Sequence, residues 1–255
     1  MHLTDTHCHL YSEEFNTDIG DVIKRAEAEN ISTFYLPAID SSTHDAMLLL
    51  EAGFPGKCFA MMGLHPCSVK ENYKEELAIA EAFLTKRKFA AIGETGLDFY
   101  WDKTFTTQQY EAFRIQAEWA LQYNLPLIIH TRNAMQETID VVKEFSSKGL
   151  KGIFHCFGGS YENAMEIINA GFYLGIGGVL TYKNSGLTEV LEKIDLQYLV
   201  LETDAPYLTP VPFRGKRNES SYIKYIVAKL SEIKNVSHEE IAAVTSANAE
   251  KIFLG

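Results

Sequence analysis

Short apolar runs alternate with longer amphipathic stretches from one end of the chain to the other. The runs, rich in β-branched and aromatic residues, fall at 33–36, 59–62, 90–92, 127–129, 152–154, 172–176 and 199–201. They read as buried strands, bounded by polar or turn-forming residues. With residues 3–4 they number eight. The stretches 18–29, 43–52, 75–86, 107–123, 134–145 and 161–170 place apolar residues at helical spacing. Thr107, Asn133 and Ser160 stand as helix N-caps, and Gly53, Gly149 and Gly171 as helix stops. After Pro212, residues 221–234 and 238–246 predict two more helices, packed around the outside.

Strand–helix alternation at this spacing implies a parallel sheet covered by helices, and eight repeats favour closure into a barrel. The expectation is one TIM (β/α)8 barrel over residues 1–255 with extra C-terminal helices. At 255 residues the chain has the usual size of that fold. No internal repeat, low-complexity tract or linker divides it.

Composition narrows the class. With 46% hydrophobic residues the chain can bury a large core. Met1-His2-Leu3-Thr4-Asp5 lacks a basic segment followed by an apolar run, and no run of about 18 apolar residues occurs, so neither a signal peptide nor a membrane span is expected. Cys8, Cys58, Cys67 and Cys156 are scattered without a CxxC pair and read as reduced thiols. The expectation is a cytoplasmic protein, monomeric in the simplest reading. The formal net charge of −11 argues against a protein that coats nucleic acid. It argues less against an enzyme, because bound divalent cations bring positive charge to where a phosphate must sit.

The chemistry lies at the C-terminal ends of the strands. Six runs lead into Asp5-Thr6-His7-Cys8-His9, Gly63-Leu64-His65-Pro66, Gly93-Glu94-Thr95-Gly96-Leu97-Asp98, His130-Thr131-Arg132, His155-Cys156-Phe157-Gly158-Gly159 and Glu202-Thr203-Asp204. In a barrel these ends converge on one face. His7 and His9, two apart, point the same way, with Cys8 opposite. Both imidazoles and Asp204 can grip one divalent metal ion, His130 and His155 a second, and Glu94 can bridge the pair. Two such cations stabilise the attacking and leaving oxygens of a displacement at phosphorus and lower the pKa of a water. Imidazole with carboxylate suits zinc or manganese, and magnesium is compatible through the carboxylates. A single histidine here fits a structural role; six ligands each ending a buried strand do not, since uncompensated burial of ionisable groups is costly. Asp5 is expected to orient His7 or His9. By the same standard His2, His44 and His238 read as solvated. Cys8 and Cys156 read as buried thiols, and Cys67 as the cysteine nearest the pocket. Arg132, Lys183, Arg214, Lys216 and Arg217 would rim the same face, suited to phosphate oxygens. Tyr100, Trp101, Tyr182 and Tyr207 occupy loops there, where they can stack bases or cap the barrel mouth.

These motifs, in order from residue 5 to about 220 and including Phe213-Arg-Gly-Lys-Arg-Asn-Glu219, resemble those of the TatD family of metal-dependent deoxyribonucleases. The resemblance implies an amidohydrolase-type TIM barrel with two metals, liganded by His7, His9, Glu94, His130, His155 and Asp204. It implies hydrolysis of DNA, in several members 3′→5′ from single-stranded or 3′ ends, in a setting of DNA repair or degradation. It places His65 near the substrate phosphate, alongside the phosphate-binding candidates Arg132, Arg214 and Arg217. One departure is Ser220, where the family usually has Pro; a looser turn into the next helix is expected. The mechanism expected is in-line attack by a metal-activated water, with Asp204 taking its proton and Glu94 holding the metals. The same ligands serve attack on a carbonyl carbon, so a D-aminoacyl-tRNA deacylase or another amide or ester hydrolase is an alternative. A non-catalytic metal-binding protein on an enzyme scaffold is a second.

Overall fold

The structure is a computed structural model that describes residues 2–255 of the chain. Its strands are β1 (Leu3–Asp5), β2 (Ile31–Leu36), β3 (Cys58–Ala60), β4 (Ile92–Asp98), β5 (Leu127–Arg132), β6 (Gly152–Phe154), β7 (Phe172–Ile176) and β8 (Leu199–Leu201). The helices are α1 (Ile19–Ala28), α2 (Ser41–Gly53), α3 (Tyr73–Leu84), α4 (Thr106–Tyr123), α5 (Met135–Ser146), α6 (Tyr161–Asn169), α7 (Leu187–Leu191), α8 (Ile223–Lys234) and α9 (His238–Phe253). Strand and helix alternate as the pattern predicts. Among the described residues no helix is long and apolar enough to cross a membrane.

Every strand pairs in parallel with its sequence neighbour, in two sheets, β1-β2-β3 and β4 through β8 in order. Individual hydrogen bonds rather than continuous ladders join the two. At one seam Met62 bridges to Ile92 and the Gly93 N–H donates to the Met62 carbonyl at 2.9 Å. At the other the Thr6 N–H donates to the Leu201 carbonyl at 3.0 Å. This is the parallel α/β arrangement of a TIM-type barrel, left open at two seams.

Side-chain alternation sorts the core into two clusters. Leu127 and Ile129 of β5 belong to the large one shared with the helices. Ile128, between them, belongs to a second with Tyr35, Met61, Ala91, Ile153 and Val200. Successive strand residues face opposite ways, so this second cluster fills the barrel interior. Two residues beyond Ile128, Ile153 and Val200 come His130, His155 and Glu202, on the same inward face. The site is therefore one layer above an apolar floor.

The C-terminal helix does not simply lie outside. Ala249 and Ile252 of α9 join the interior cluster, and Phe253 stacks on Tyr35 at 3.6 Å between ring centroids. Asn248 of α9 fixes it in place by donating to the carbonyls of Leu196 and Leu199 at 2.9 and 2.7 Å. The helix closes the floor because its small and apolar face meets the inward side chains.

Other expectations shift too. Ser160 is a genuine N-cap, accepting the Asn163 N–H, but α4 follows Phe105 and α5 follows Ala134 without side-chain caps. Asn133 instead takes a left-handed turn conformation, φ 53°. His44 is not solvated: it is 2% exposed, on the α2 stripe it shares with Met47 and Leu50, edge-on to Phe83. Helical spacing, not the polarity of the ring, decides its position.

Candidate metal centre

The six expected ligands, far apart in sequence, meet at the C-terminal ends of the strands around the Glu94 carboxylate. Oε2 of Glu94 lies 3.1 Å from His7 Nε2 and 3.6 Å from His9 Nε2. Oδ1 of Asp204 is 3.6 and 3.5 Å from the same two nitrogens. Oε1 of Glu94 faces another set: His155 Nε2 at 2.9 Å, His130 Nδ1 at 2.9 Å and His65 Nε2 at 3.4 Å. The two oxygens of one carboxylate thus divide the donors into two groups.

Local backbone features make the approach possible. Gly96 of β4 pairs with His130 at φ +137°, and a Cβ there would lie 2.0 Å from the His130 carbonyl oxygen. Asp204 takes a left-handed φ of 56°, and its N–H donates to the His7 carbonyl at 2.9 Å. That bond fixes the loop after β8 against the loop after β1.

The donor set suits cations. His9 Nδ1 is 2.9 Å from the Tyr11 hydroxyl, whose own proton goes to the Pro37 carbonyl. His9 Nδ1 therefore carries the hydrogen, leaving the Nε2 lone pair aimed at the centre. His7 Nε2 and His9 Nε2 face one another at 3.3 Å, and Glu94 Oε2 is buried with no hydrogen-bond partner. A buried carboxylate oxygen left without a hydrogen-bond partner among imidazole nitrogens is what a metal ion relieves. Three sets of ligand atoms lie close enough for it: His7, His155 and Asp204; His7, His9 and Glu94; His65, Glu94 and His130.

His65 differs from its neighbours within the last set. Its Nδ1 accepts the Cys67 N–H at 3.0 Å, so in the neutral ring Nε2 bears the proton and is a donor. Proximity alone groups it with the ligands, but its tautomer suits a hydrogen bond to a substrate oxygen.

Electrostatics follow from the crowding. Burial opposes charge on Glu94, yet the rings of His155, His65 and His7 outweigh it and hold the carboxyl well below its ordinary range. Burial also opposes charge on Asp204; the His9 ring beside it and the rings of His155 and His7 outweigh it, and the carboxyl is lowered. Burial keeps His7 and His65 below the usual imidazole value. For His155 the Glu94 and Glu202 carboxylates overcome burial and raise it well above.

Three further carboxylates hold this constellation. Asp98 Oδ2 is 2.9 Å from His130 Nε2. Glu202, fully buried, accepts the Cys156 N–H at 2.5 Å and lies 3.4 Å from His155 Nδ1. Asp5 does not touch the His7 or His9 ring. It accepts the backbone N–H of His7 at 3.4 Å and of Thr203 at 3.0 Å, with the Thr203 and Ser220 hydroxyls each at 2.6 Å. Burial pushes its carboxyl up to about 7 against these bonds. Ser220 is thus anchored rather than loosened. Asp98 and Glu202 sit inside motifs visible in the sequence, but nothing there separates a ligand from the residue that orients it.

Around the mouth the basic candidates diverge. Arg132 stacks over Tyr100 at 3.8 Å and Arg214 over Tyr182 at 4.0 Å. Neither makes an ion pair among the described residues. Arg217 is committed elsewhere, donating to the Glu14 carbonyl and to both oxygens of Asp18 at 2.6 to 2.8 Å. All four cysteines are free; Cys8 is buried and Cys156 is partly exposed rather than buried. A cavity of about 490 Å³ between the loops after β5 and β6 is lined by Arg132, Asn133, Cys156, Gly158, Gly159 and Ser160. A hollow of about 530 Å³ on the outer face of α4, along Tyr110 and Arg114, has no ligand set and lies away from the chemistry.

Over residues 4–254 the sequence matches the family described as TatD related DNase. It is 41% identical over 254 residues to YabD of Bacillus subtilis (strain 168), named an uncharacterized metal-dependent hydrolase, covering 98% of each chain. It is 30% identical over 255 residues to the 3'-5' ssDNA/RNA exonuclease TatD of Erwinia tasmaniensis, again covering 98% of each. The fold superposes on the crystal structure of YjjV, a TatD homolog from Escherichia coli K12, with a TM-score of 0.93 and 28% identity, covering 99% of this chain and 98% of that one.

Proposed function

This chain belongs to the TatD family of metal-dependent hydrolases, and we propose that it cleaves phosphodiester bonds of DNA, acting 3′→5′ from single-stranded ends. The observation that carries the reading is the Glu94 carboxylate, whose Oε2 faces His7, His9 and Asp204 while Oε1 faces His130 and His155. That division fits two divalent cations, each with imidazole and carboxylate ligands. When bound, the cations supply Lewis acidity and lower the pKa of a water.

The protein's own groups have separate tasks. Glu94 and the histidines fix the ligand geometry. Asp204, ionised and partly open to the mouth, orients the attacking water and accepts its proton. His65 donates from Nε2 to a non-bridging phosphate oxygen. Arg132 and Arg214, free of ion pairs, hold flanking phosphates; Arg217 instead straps its own loop to Asp18. The similarity to an exonuclease named for single-stranded DNA and RNA supports a nucleic-acid substrate.

The test is a side-by-side assay of a 5′-labelled single-stranded oligonucleotide and a D-aminoacyl-tRNA, with manganese, zinc or magnesium added in turn. Shortening of the strand from its 3′ end, lost in Asp204→Ala, is the expected outcome. Deacylation with an intact strand would overturn the nuclease reading in favour of an esterase on the same ligands.

A further inference from the structure

Nucleic acid poses a problem for a chain with a net charge of −11. Phosphate contacts by Lys and Arg normally supply most of the affinity, and the 23 Lys and Arg here are outnumbered by 34 Asp and Glu. A second source is stacking of bases on aromatic rings, which needs no net positive charge. Large hydrophobic side chains left exposed are informative about where that occurs. Of the eight such residues among those described, Tyr100, Trp101, Tyr207, Leu208 and Val211 lie in the loops after β4 and β8, on the ligand-bearing face.

Two of them form a built surface. Tyr100 and Trp101 meet edge to face at 4.9 Å between centroids, and are 51% and 68% exposed. The Arg132 guanidinium lies 3.8 Å from the Tyr100 ring centroid and 5.2 Å from that of Trp101. No core residue covers Trp101, so its packing does not explain its presence. The loop is nevertheless tied down: Asp98 Oδ1 accepts the N–H of Tyr100 at 2.9 Å and of Trp101 at 3.1 Å. The other oxygen of Asp98 contacts His130 of the metal centre. One carboxylate therefore fixes the aromatic pair relative to the ligands, and Arg132 continues the surface into the 490 Å³ cavity.

We infer that Tyr100, Trp101 and Arg132 form a stacking subsite for an unpaired nucleobase beside the scissile phosphate. The inference rests on the phosphodiesterase reading and goes beyond it by naming the residues that select the strand. A base in duplex is already stacked and paired, so only a frayed or single-stranded end offers the ring face this surface takes.

Trp101 gives a direct readout. The chain has two tryptophans, and Trp119 is buried at 5% exposure, so a base stacked on Trp101 quenches the exposed fluorescence. A phosphorothioate octathymidylate is titrated into the metal-loaded enzyme and into Trp101→Ala, and KM and kcat are measured on a cleavable oligonucleotide and on one whose 3′-terminal residues are abasic. The expected result is quenching in the wild type that is absent in the variant. The variant's KM for the oligonucleotide rises by about 5- to 150-fold, with kinetics on the abasic strand unchanged. No quenching, or an unchanged oligonucleotide KM, overturns the subsite. Quenching without strand cleavage supports the subsite and overturns the nuclease reading alone.

Discussion

Asp98 holds His130 by its ring: Oδ2 sits 2.9 Å from Nε2, which leaves Nδ1 turned toward Glu94. A carboxylate accepting from one ring nitrogen sets the tautomer and directs the other lone pair at a metal. Asp98→Asn keeps an acceptor for the loop amides but offers an N–H to His130, reversing that tautomer. Divalent-metal affinity is expected to fall about 10- to 100-fold while the far-UV spectrum is unchanged. Calorimetric titration with manganese checks it.

Glu202 and Gly175 are matched in the same way. A Cβ on Gly175 would lie 2.2 Å from Glu202 Oε2, a clash with a buried carboxylate that already accepts the Cys156 amide. Gly175→Ala is expected to destabilise by about 1–3 kcal/mol and to weaken metal binding by displacing His155. Urea unfolding of the apo and metal-loaded protein separates the two effects.

Asp5 links the ends of β1 and β8 through Thr203 and Ser220. Ser220→Pro, which restores the residue usual in the family, removes the hydroxyl donor from a buried carboxyl. The expected loss is about 1–3 kcal/mol by urea unfolding. An unchanged midpoint would mean that the Thr203 contacts suffice.

The sequence pattern locates strands well where the apolar run is the whole strand, as at Gly152–Phe154 and Phe172–Ile176. It fails at β4, which begins where the run at 90–92 ends and continues through Gly93-Glu94-Thr95-Gly96 to Asp98. There the strand itself carries the chemistry, and its hydrogen-bonded backbone is masked by polar side chains. The six candidate ligands are legible because each ends a run and barrel geometry brings such ends together. The roles of Asp98, Glu202 and Ser220 depend on side-chain distances across the barrel, which no periodicity encodes. Arg217 illustrates the same limit: its basic neighbourhood suggests phosphate, but Asp18 occupies it.

That pairing carries a pH signature. The hydrogen bond from Arg217, then that from Arg25, outweighs desolvation and lowers the Asp18 carboxyl from 3.8 to about 2. Because the folded value lies below the ordinary one, the stabilisation is complete above about pH 4 and is lost as pH falls through about 2. Asp18→Asn is therefore expected to lower the thermal midpoint at about pH 6 and to differ less from the wild type near pH 2.5. Solvent exposure keeps the effect small, and salt reduces it. Scanning calorimetry at the two pH values checks it.

The central claim is that Glu94 stands between two cations. Anomalous diffraction from a crystal soaked in manganese tests it most directly. Two peaks are predicted, one beside Oε2 within ligand distance of His7, His9 and Asp204, the other beside Oε1 near His130 and His155. A soaked crystal whose peaks lie only on the acidic surface, with none at Glu94, would contradict the account.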